Sequence, residues 1–298
     1  MLDTPNQFEE YVIKAEKKEL IYFLMENDFL KREDICTLCN NPNSLVRHKN
    51  SIDGLSWRCM NVKCKNYKKY ASIRKNSFFH GFNLQLKDIL RVVIKYSYFQ
   101  QSYSIKNSLD ISKSSVNRIL KKLINNIPDA NYEKQKLGGP GFIVQVDETM
   151  LNFKCKSHRG RSPNNRTDAL CIIEFKNKIT RCFATIINNK EAKTIIPIIC
   201  SQVLPGSVIH TDEHKSYSAL FKNGFTHATV CHKYHFINKH TGVNTQAIES
   251  FHNELKLMIK KRKGVKTACR KEFLREFCFY FNSRNNFFHS VIALLKSH

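Results

Sequence analysis

A chain of 298 residues is long enough for about two domains of ~150 residues, and a hydrophobic content of 42% supports a packed core. The formal net charge of +24, from 49 basic against 25 acidic residues, points to a polyanionic partner. No apolar run approaches the ~18 residues that span a bilayer, Met1-Leu2-Asp3-Thr4-Pro5 has no secretory pattern, and the basic residues are spread along the chain rather than gathered in one amphipathic segment; nucleic acid is therefore favoured, with no membrane partner and no secretion expected.

Phe8, Tyr11, Val12 and Ala15, then Leu20, Phe23 and Leu24, have helical spacing, so residues 1–30 read as an N-terminal helical segment. Residues 31–80 hold a cysteine cluster: Cys36 and Cys39 form one CxxC knuckle, and Cys59 and Cys64 a wider second pair. Four thiolates in two local pairs suit a tetrahedral structural zinc site, and so short a segment draws much of its folding free energy from the metal. His48 lies far from either knuckle. Trp57, Arg58, Lys63, Lys65, Lys68 and Lys69 around the second pair suggest a zinc ribbon that touches DNA phosphates. The other cysteines, Cys155, Cys171, Cys182, Cys200, Cys231, Cys269 and Cys278, are scattered and mostly in apolar segments. An odd total of eleven argues against a disulfide framework, and these seven read as small core hydrophobes.

Residues 84–127 read as three helices. Leu86, Ile89, Leu90, Val93 and Ile94 line the first, Ile105 and Leu109 the second, and Val116, Ile119, Leu120 and Leu123 the third, with Ser112 as its N-cap. The third also carries Lys113, Asn117, Arg118, Lys121 and Lys122, so the segment reads as helix-turn-helix-like and DNA-binding. Pro128, Gly138, Gly139, Pro140 and Gly141 mark residues 128–141 as a linker.

From 142 onward, strand-like runs at 142–147, 168–175, 179–188, 207–210 and 227–231 alternate with helix-like runs at 190–203, 244–263 and 270–284. Three close strands followed by crossovers predict a mixed five-stranded sheet, and the order suits an RNase H-like α/β catalytic core over 142–288. Asp147 ends the run Phe142-Ile143-Val144-Gln145-Val146, Asp212 follows Val208-Ile209-His210-Thr211, and Glu249 lies early in a later helix. Two strand-end Asp residues and a helix Glu are how a two-metal phosphoryl-transfer site is assembled. Carboxylates of this kind suit two magnesium or manganese ions. Alternation sends Glu148 to the opposite side of its strand, and Asp168 and Glu174 read as structural. His210, His214, His227, His232 and His235 form no metal-ligand pattern, although one could orient a carboxylate. Basic residues flank two of the acids: Lys154, Lys156, Arg159, Arg161 and Arg166 after Asp147, and Lys256, Lys260, Lys261, Arg262, Lys263 and Lys266 after Glu249. They read as phosphate contacts.

These blocks resemble a known family. Val146-Asp147-Glu148-Thr149, Pro205-Gly206-Ser207 with His210-Thr211-Asp212-Glu213, and Thr241-Gly242-Val243-Asn244-Thr245-Gln246-Ala247-Ile248-Glu249-Ser250-Phe251 look like the blocks of Merlin-type DDE transposases, relatives of bacterial ISXO-like insertion-sequence transposases. Leu255-Lys256, Phe281-Asn282-Ser283-Arg284-Asn285 and the upstream Ser72-Ile73-Arg74-Lys75-Asn76-Ser77-Phe78-Phe79 extend the resemblance over most of 33–288. It implies that Asp147, Asp212 and Glu249 are the catalytic triad. It also implies metal-dependent cleavage at terminal inverted repeats, strand transfer into target DNA by the freed 3′-hydroxyl, and a homodimer or larger synaptic complex. The chain departs from the pattern in its wider second cysteine pair and in His252, where the family has an aromatic; the latter is expected to bear little on catalysis. Two other functions stay open: a non-catalytic, transposase-derived DNA-binding protein, and a structure-specific nuclease of similar fold. A nuclear location is expected in a eukaryotic host, and a cytoplasmic one otherwise.

Overall fold

The computed structural model describes residues 4–152, 166–230 and 243–296. They divide into two compact units, Met1–Asn126 with Asn285–His298, and Ile127–Arg284.

The first unit begins with α1 (Pro5–Lys14), closed by a Thr4–Gln7 capping box that satisfies two otherwise orphaned amides, and α2 (Lys17–Glu26). The strands β1 (Ser44–Arg47), β2 (Leu55–Arg58) and β3 (Tyr70–Ser72) form an antiparallel sheet in that order. Asp53 and Arg74, both buried, form a two-pronged ion pair at 2.6 and 2.7 Å, and Arg74 also donates to Phe82 O at 2.9 Å. This clasp fixes the ribbon to the segment that follows it. Next come α3 (Leu86–Ser97), α4 (Ser102–Leu109) and α5 (Lys113–Asn125). The tight turn into α5 uses a left-handed Asp110 at φ 51°, tolerable for this short polar side chain. Ser112 then caps α5, accepting from the Ser115 amide at 3.2 Å.

The second unit is built on β4 (Ile143–Met150), β5 (Asp168–Phe175), β6 (Ile179–Ile187), β7 (Val208–Asp212) and β8 (Thr226–Val230). The order across the sheet is β6-β5-β4-β7-β8. The first three strands are antiparallel, whereas β7 is parallel to both β4 and β8. This is the order and direction of an RNase H-like core. The helix α6 (Ala192–Gln202) provides the crossover from β6 to β7.

Alternation along the strands fills two cores. Val144, Val146, Leu170, Ile172 and Ile209 pack with Ile195 and Ile199 of α6. On the opposite face Ala169, Cys171 and Ile173 pack under α7 (Gln246–Lys261) and α8 (Arg270–Ser283), with Ile248, Phe251, Leu255, Phe277 and Phe281. Burial on both faces explains why β5 reads as an unbroken apolar run. The proline- and glycine-rich stretch before β4 belongs to this unit: Leu137 is fully buried in the α6-side core. The Gly138 amide donates to Glu174 at 2.9 Å. Gly138 itself has φ +91°, and a Cβ there would collide with Ser207. The last helix, α9 (Phe287–Ala293), returns to the first unit, where Phe287 stacks on Phe99 and Phe288 meets Phe8.

Candidate active site

The parallel ladder between β4 and β7 is short. It pairs Ile143 with Val208, Val144 with Ile209 and Gln145 with His210, and ends there. Beyond that rung β4 continues to Met150 against β5, while β7 continues to Asp212 against β8. Asp147 and Asp212 each lie two residues past the last shared rung, so alternation puts both on the face of Gln145 and His210. Asp147 is thus inside its strand, three residues before the end, rather than at the strand end expected from the apolar run. The opening comes instead from the separation of the two strands.

The third acid is brought in by the N-terminus of α7. Gln145 Nε2 donates to Asn244 O at 2.9 Å, Gln145 Oε1 accepts from the Ile248 amide at 2.9 Å, and His210 Nδ1 lies 3.1 Å from the same Asn244 carbonyl. Gln145 and His210 are buried, so these bonds are shielded from water. They fix where the first turn of α7 begins, and Glu249 is in that turn. Glu249 lines an open groove of about 460 Å³ with Gln246, Ser250 and Asn253.

Asp147 feels the charges of the neighbouring acids. Burial pushes the Asp147 carboxyl up to about 7; the Glu148 amide works against this, and the charges of Asp212, Glu148 and Glu249 add to it. One oxygen of each Asp is oriented by backbone, Asp147 by the Glu148 amide at 2.7 Å and Asp212 by the His214 amide at 3.0 Å. Glu148 points into the α6 side of the sheet, where Tyr217 Oη donates to it at 2.6 Å and Lys190 lies 3.3 Å away. His227 bonds Thr211 at 2.9 Å. Glu174, set against Arg181 and Thr180, joins strands, as its position in β5 suggested.

His252, expected from the sequence to bear little on catalysis, lies at the site. It is buried beside Asp147, with Nδ1 3.6 Å from Asp147 Oδ2, and ligand atoms of Asp147, Glu249 and His252 all lie within 4.8 Å of one another. Burial, helped by the Lys256 charge, pushes its pKa down to about 3, so the imidazole is neutral. The available signal was its spacing, three residues after Glu249 on one helix. Gln145 was also missed; its signal was a lone amide within an apolar strand run.

The donor set fits a hard divalent cation: among the described residues, Asp147, Glu249 and His252 bring ligand atoms within 4.8 Å of one another, while Asp212 lies on the same face of the sheet but outside that group. The four cysteines fit zinc. Cys36 Sγ lies 3.7 Å from Cys64 Sγ, and Cys39 Sγ 3.8 Å from Cys59 Sγ, with all four within 4.8 Å. A tetrahedral ion with Zn–S of ~2.3 Å requires S···S of about 3.8 Å. The amides of Leu38 and Cys39 hold the Cys36 thiol down to about 6, whereas burial and the neighbouring thiols push Cys59 and Cys64 up. His48 instead bonds Ser56 at 2.9 Å and stacks on Tyr70. Cys171, Cys182 and Cys278 are buried as expected, whereas Cys269 is exposed.

The basic residues divide. Lys113, Asn117, Arg118 and Lys121 on α5 are exposed. Arg118 reaches Gly81 O and packs over Phe82, and Lys122 donates to His80 O at 2.9 Å, so both brace α5 against the preceding segment. Lys256, Lys260, Lys261 and Lys263 are exposed, and Arg262 pairs with Glu276 at 2.6 and 2.9 Å. Lys154, Lys156, Arg159 and Arg161 lie outside the described residues, as do Cys155, Cys231, His232 and His235.

Residues 136–282 match the family model of the ISXO2-like transposase domain. An uncharacterized transposase-like protein of Haemophilus influenzae is 30% identical over 116 residues, 39% of this chain and 91% of that protein. The chain belongs to the ISXO2-like transposase family. Such DDE transposases act on DNA and generally use divalent metal. The catalytic core domain of BIV integrase is 18% identical and covers 49% of this chain and 86% of its own, with a TM-score of 0.33. No helix among the described residues is long and apolar enough to cross a membrane.

Proposed function

We propose that Asp147, Asp212 and Glu249 hold two divalent ions, magnesium or manganese, and that the chain cuts phosphodiesters at the terminal inverted repeats of its element and joins the freed 3′-hydroxyl to target DNA. The observation that carries this is the splayed rung: two Asp residues just past the last β4–β7 pair, with the Glu249 turn clamped to that same rung. When bound, the ions lower the pKa of the attacking hydroxyl and offset charge on the leaving oxygen. The chain's own part is positioning. Gln145 and His210 keep Glu249 in register with the two Asp residues, and the groove beside Glu249 admits a phosphate backbone. Exposed Lys256, Lys260, Lys261 and Lys263 continue along and beyond α7 and suit successive phosphates. The zinc ribbon and the α3–α5 segment supply end recognition, and a synaptic dimer or larger assembly brings two ends together.

Incubation of the protein and magnesium with DNA bearing the inverted repeats that flank its gene should give nicked 3′ ends, then joined products, with both lost in Asp212→Ala. Equal activity in that variant, or no cleavage under any divalent metal, would overturn the reading. Cleavage without joining would reduce it to a nuclease, and binding alone to a DNA-binding derivative.

A further inference from the structure

We propose that His252 is a nitrogen ligand to the cation held by Asp147 and Glu249, and that this makes the site favour manganese over magnesium. The inference rests on the metal-site reading above and adds a donor that the triad does not contain.

His252 is 2% exposed, and its Nε2 has no access to bulk water. Among the described residues neither ring nitrogen makes a hydrogen bond. Nε2 is buried without a partner, and Nδ1 stands 3.6 Å from Asp147 Oδ2, beyond hydrogen-bonding reach. A buried polar group in that condition is uncommon and calls for an explanation.

Its neighbours supply the rest. Ligand atoms of Asp147, Glu249 and His252 share a space no more than 4.8 Å across. Ligands at neighbouring positions around an ion with ~2.1 Å bonds are about 3 Å apart, so a small inward movement from 3.6 Å would suffice. Glu249 and His252 form a Glu-x-x-His pair on one helix, the spacing by which helices present a carboxylate and an imidazole to a single di-iron or di-manganese centre.

The consequence is selectivity. Magnesium strongly prefers oxygen, and a nitrogen donor in its first shell gains it little. Manganese accepts carboxylate and imidazole together. The site is therefore predicted to bind manganese more tightly than its three carboxylates alone would allow, with little effect on magnesium.

Pulsed electron paramagnetic resonance of the full, zinc-loaded chain with manganese tests this directly. The wild type should show modulation from a directly bound imidazole ¹⁴N. His252→Phe, which keeps an aromatic in the core, and His252→Asn should both lose it, with manganese affinity down about tenfold or more and magnesium affinity, measured by competition, almost unchanged. Far-ultraviolet circular dichroism establishes that each variant is folded, and the wild-type spectrum stands without either. Manganese bound without nitrogen coupling, or coupling that persists in His252→Phe, would overturn the proposal while leaving the carboxylate site intact. If wild-type protein binds no manganese, or binds it equally well in Asp147→Asn, the underlying metal-site reading fails instead.

Discussion

Gln145 and His210 are partners on the last rung shared by β4 and β7, and both reach one carbonyl, that of Asn244. Each also lies two residues before an acid of the site. The rung therefore does two jobs: it ends the parallel ladder, and it anchors the helix that brings Glu249. Replacing Gln145 by Met keeps the volume but strands the Ile248 amide and removes a donor to Asn244. We expect a loss of about 1–3 kcal/mol in urea unfolding, and a larger effect on turnover, on the order of tenfold to a hundredfold, because Glu249 loses its register. Full cleavage activity in a destabilised Gln145→Met would show that the clamp is structural only.

Removing zinc should unfold the ribbon. A high-affinity chelator under reducing conditions, or Cys39→Ser, should abolish protection of residues 31–80 in hydrogen exchange. Native protein should carry a single equivalent of zinc by elemental analysis. Unchanged protection with no bound zinc would refute the site.

The Asp53–Arg74 pair is almost fully buried, at 3–4% side-chain exposure. Asp53→Ala leaves a buried guanidinium without its anion and should destabilise the first unit by about 3–5 kcal/mol. Replacing both partners with apolar residues should cost much less. Equal losses in the single and double variants would contradict this account.

Glu174 links the sign of a pKa shift to stability. Burial alone would raise its carboxyl, but Arg181, Thr180 and the Gly138 amide prevail and hold it below the usual value. A depressed folded pKa means that the unfolded chain binds the proton first. Stability from this group is thus present above the unfolded-state pKa and is lost as pH falls through the folded one. The thermal stability of the wild type should fall with acidification below about pH 4, and Glu174→Gln should be less stable at neutral pH with a flatter acid slope. A parallel acid slope in the variant would assign the loss to other carboxylates.

On α5, Lys121 and Arg118 are both exposed, but Arg118 is tied to a backbone carbonyl, and the two should behave differently. Lys121→Ala should weaken DNA binding and reduce the slope of log affinity against log salt by about 0.9 if it meets one phosphate. Arg118→Ala should leave that slope alone and lower the melting temperature, since its guanidinium serves Gly81 and Phe82. The opposite pattern would place Arg118 on the DNA.

Much of this was legible in the chain because it is local. Val144 and Val146 against Gln145 and Asp147 give a period of two, and Ile248, Phe251, Leu255 and Ile259 give a helical one. The strands, the helices and the paired cysteines follow from such patterns; the choice of the three acids drew on the family resemblance as well. His252 was discounted because the sequence compares it with an aromatic of similar bulk and cannot show what its ring nitrogens meet. Arg118 and Lys122 reach backbone carbonyls and Arg262 pairs with Glu276, contacts that the place of a basic residue in the sequence does not show.

The sequence by itself determined the mixed sheet, the cysteine quartet and the identity and order of the acids, since these depend on spacing within single segments. Only the tertiary structure decided where β4 and β7 part company, which carbonyl locks the Glu249 turn, and that a buried imidazole whose Nε2 has no hydrogen-bond partner among the described residues stands beside Asp147. Those facts arise from side chains far apart in sequence meeting in a buried space, where an unmade hydrogen bond or an unbalanced charge is costly enough to dictate the arrangement.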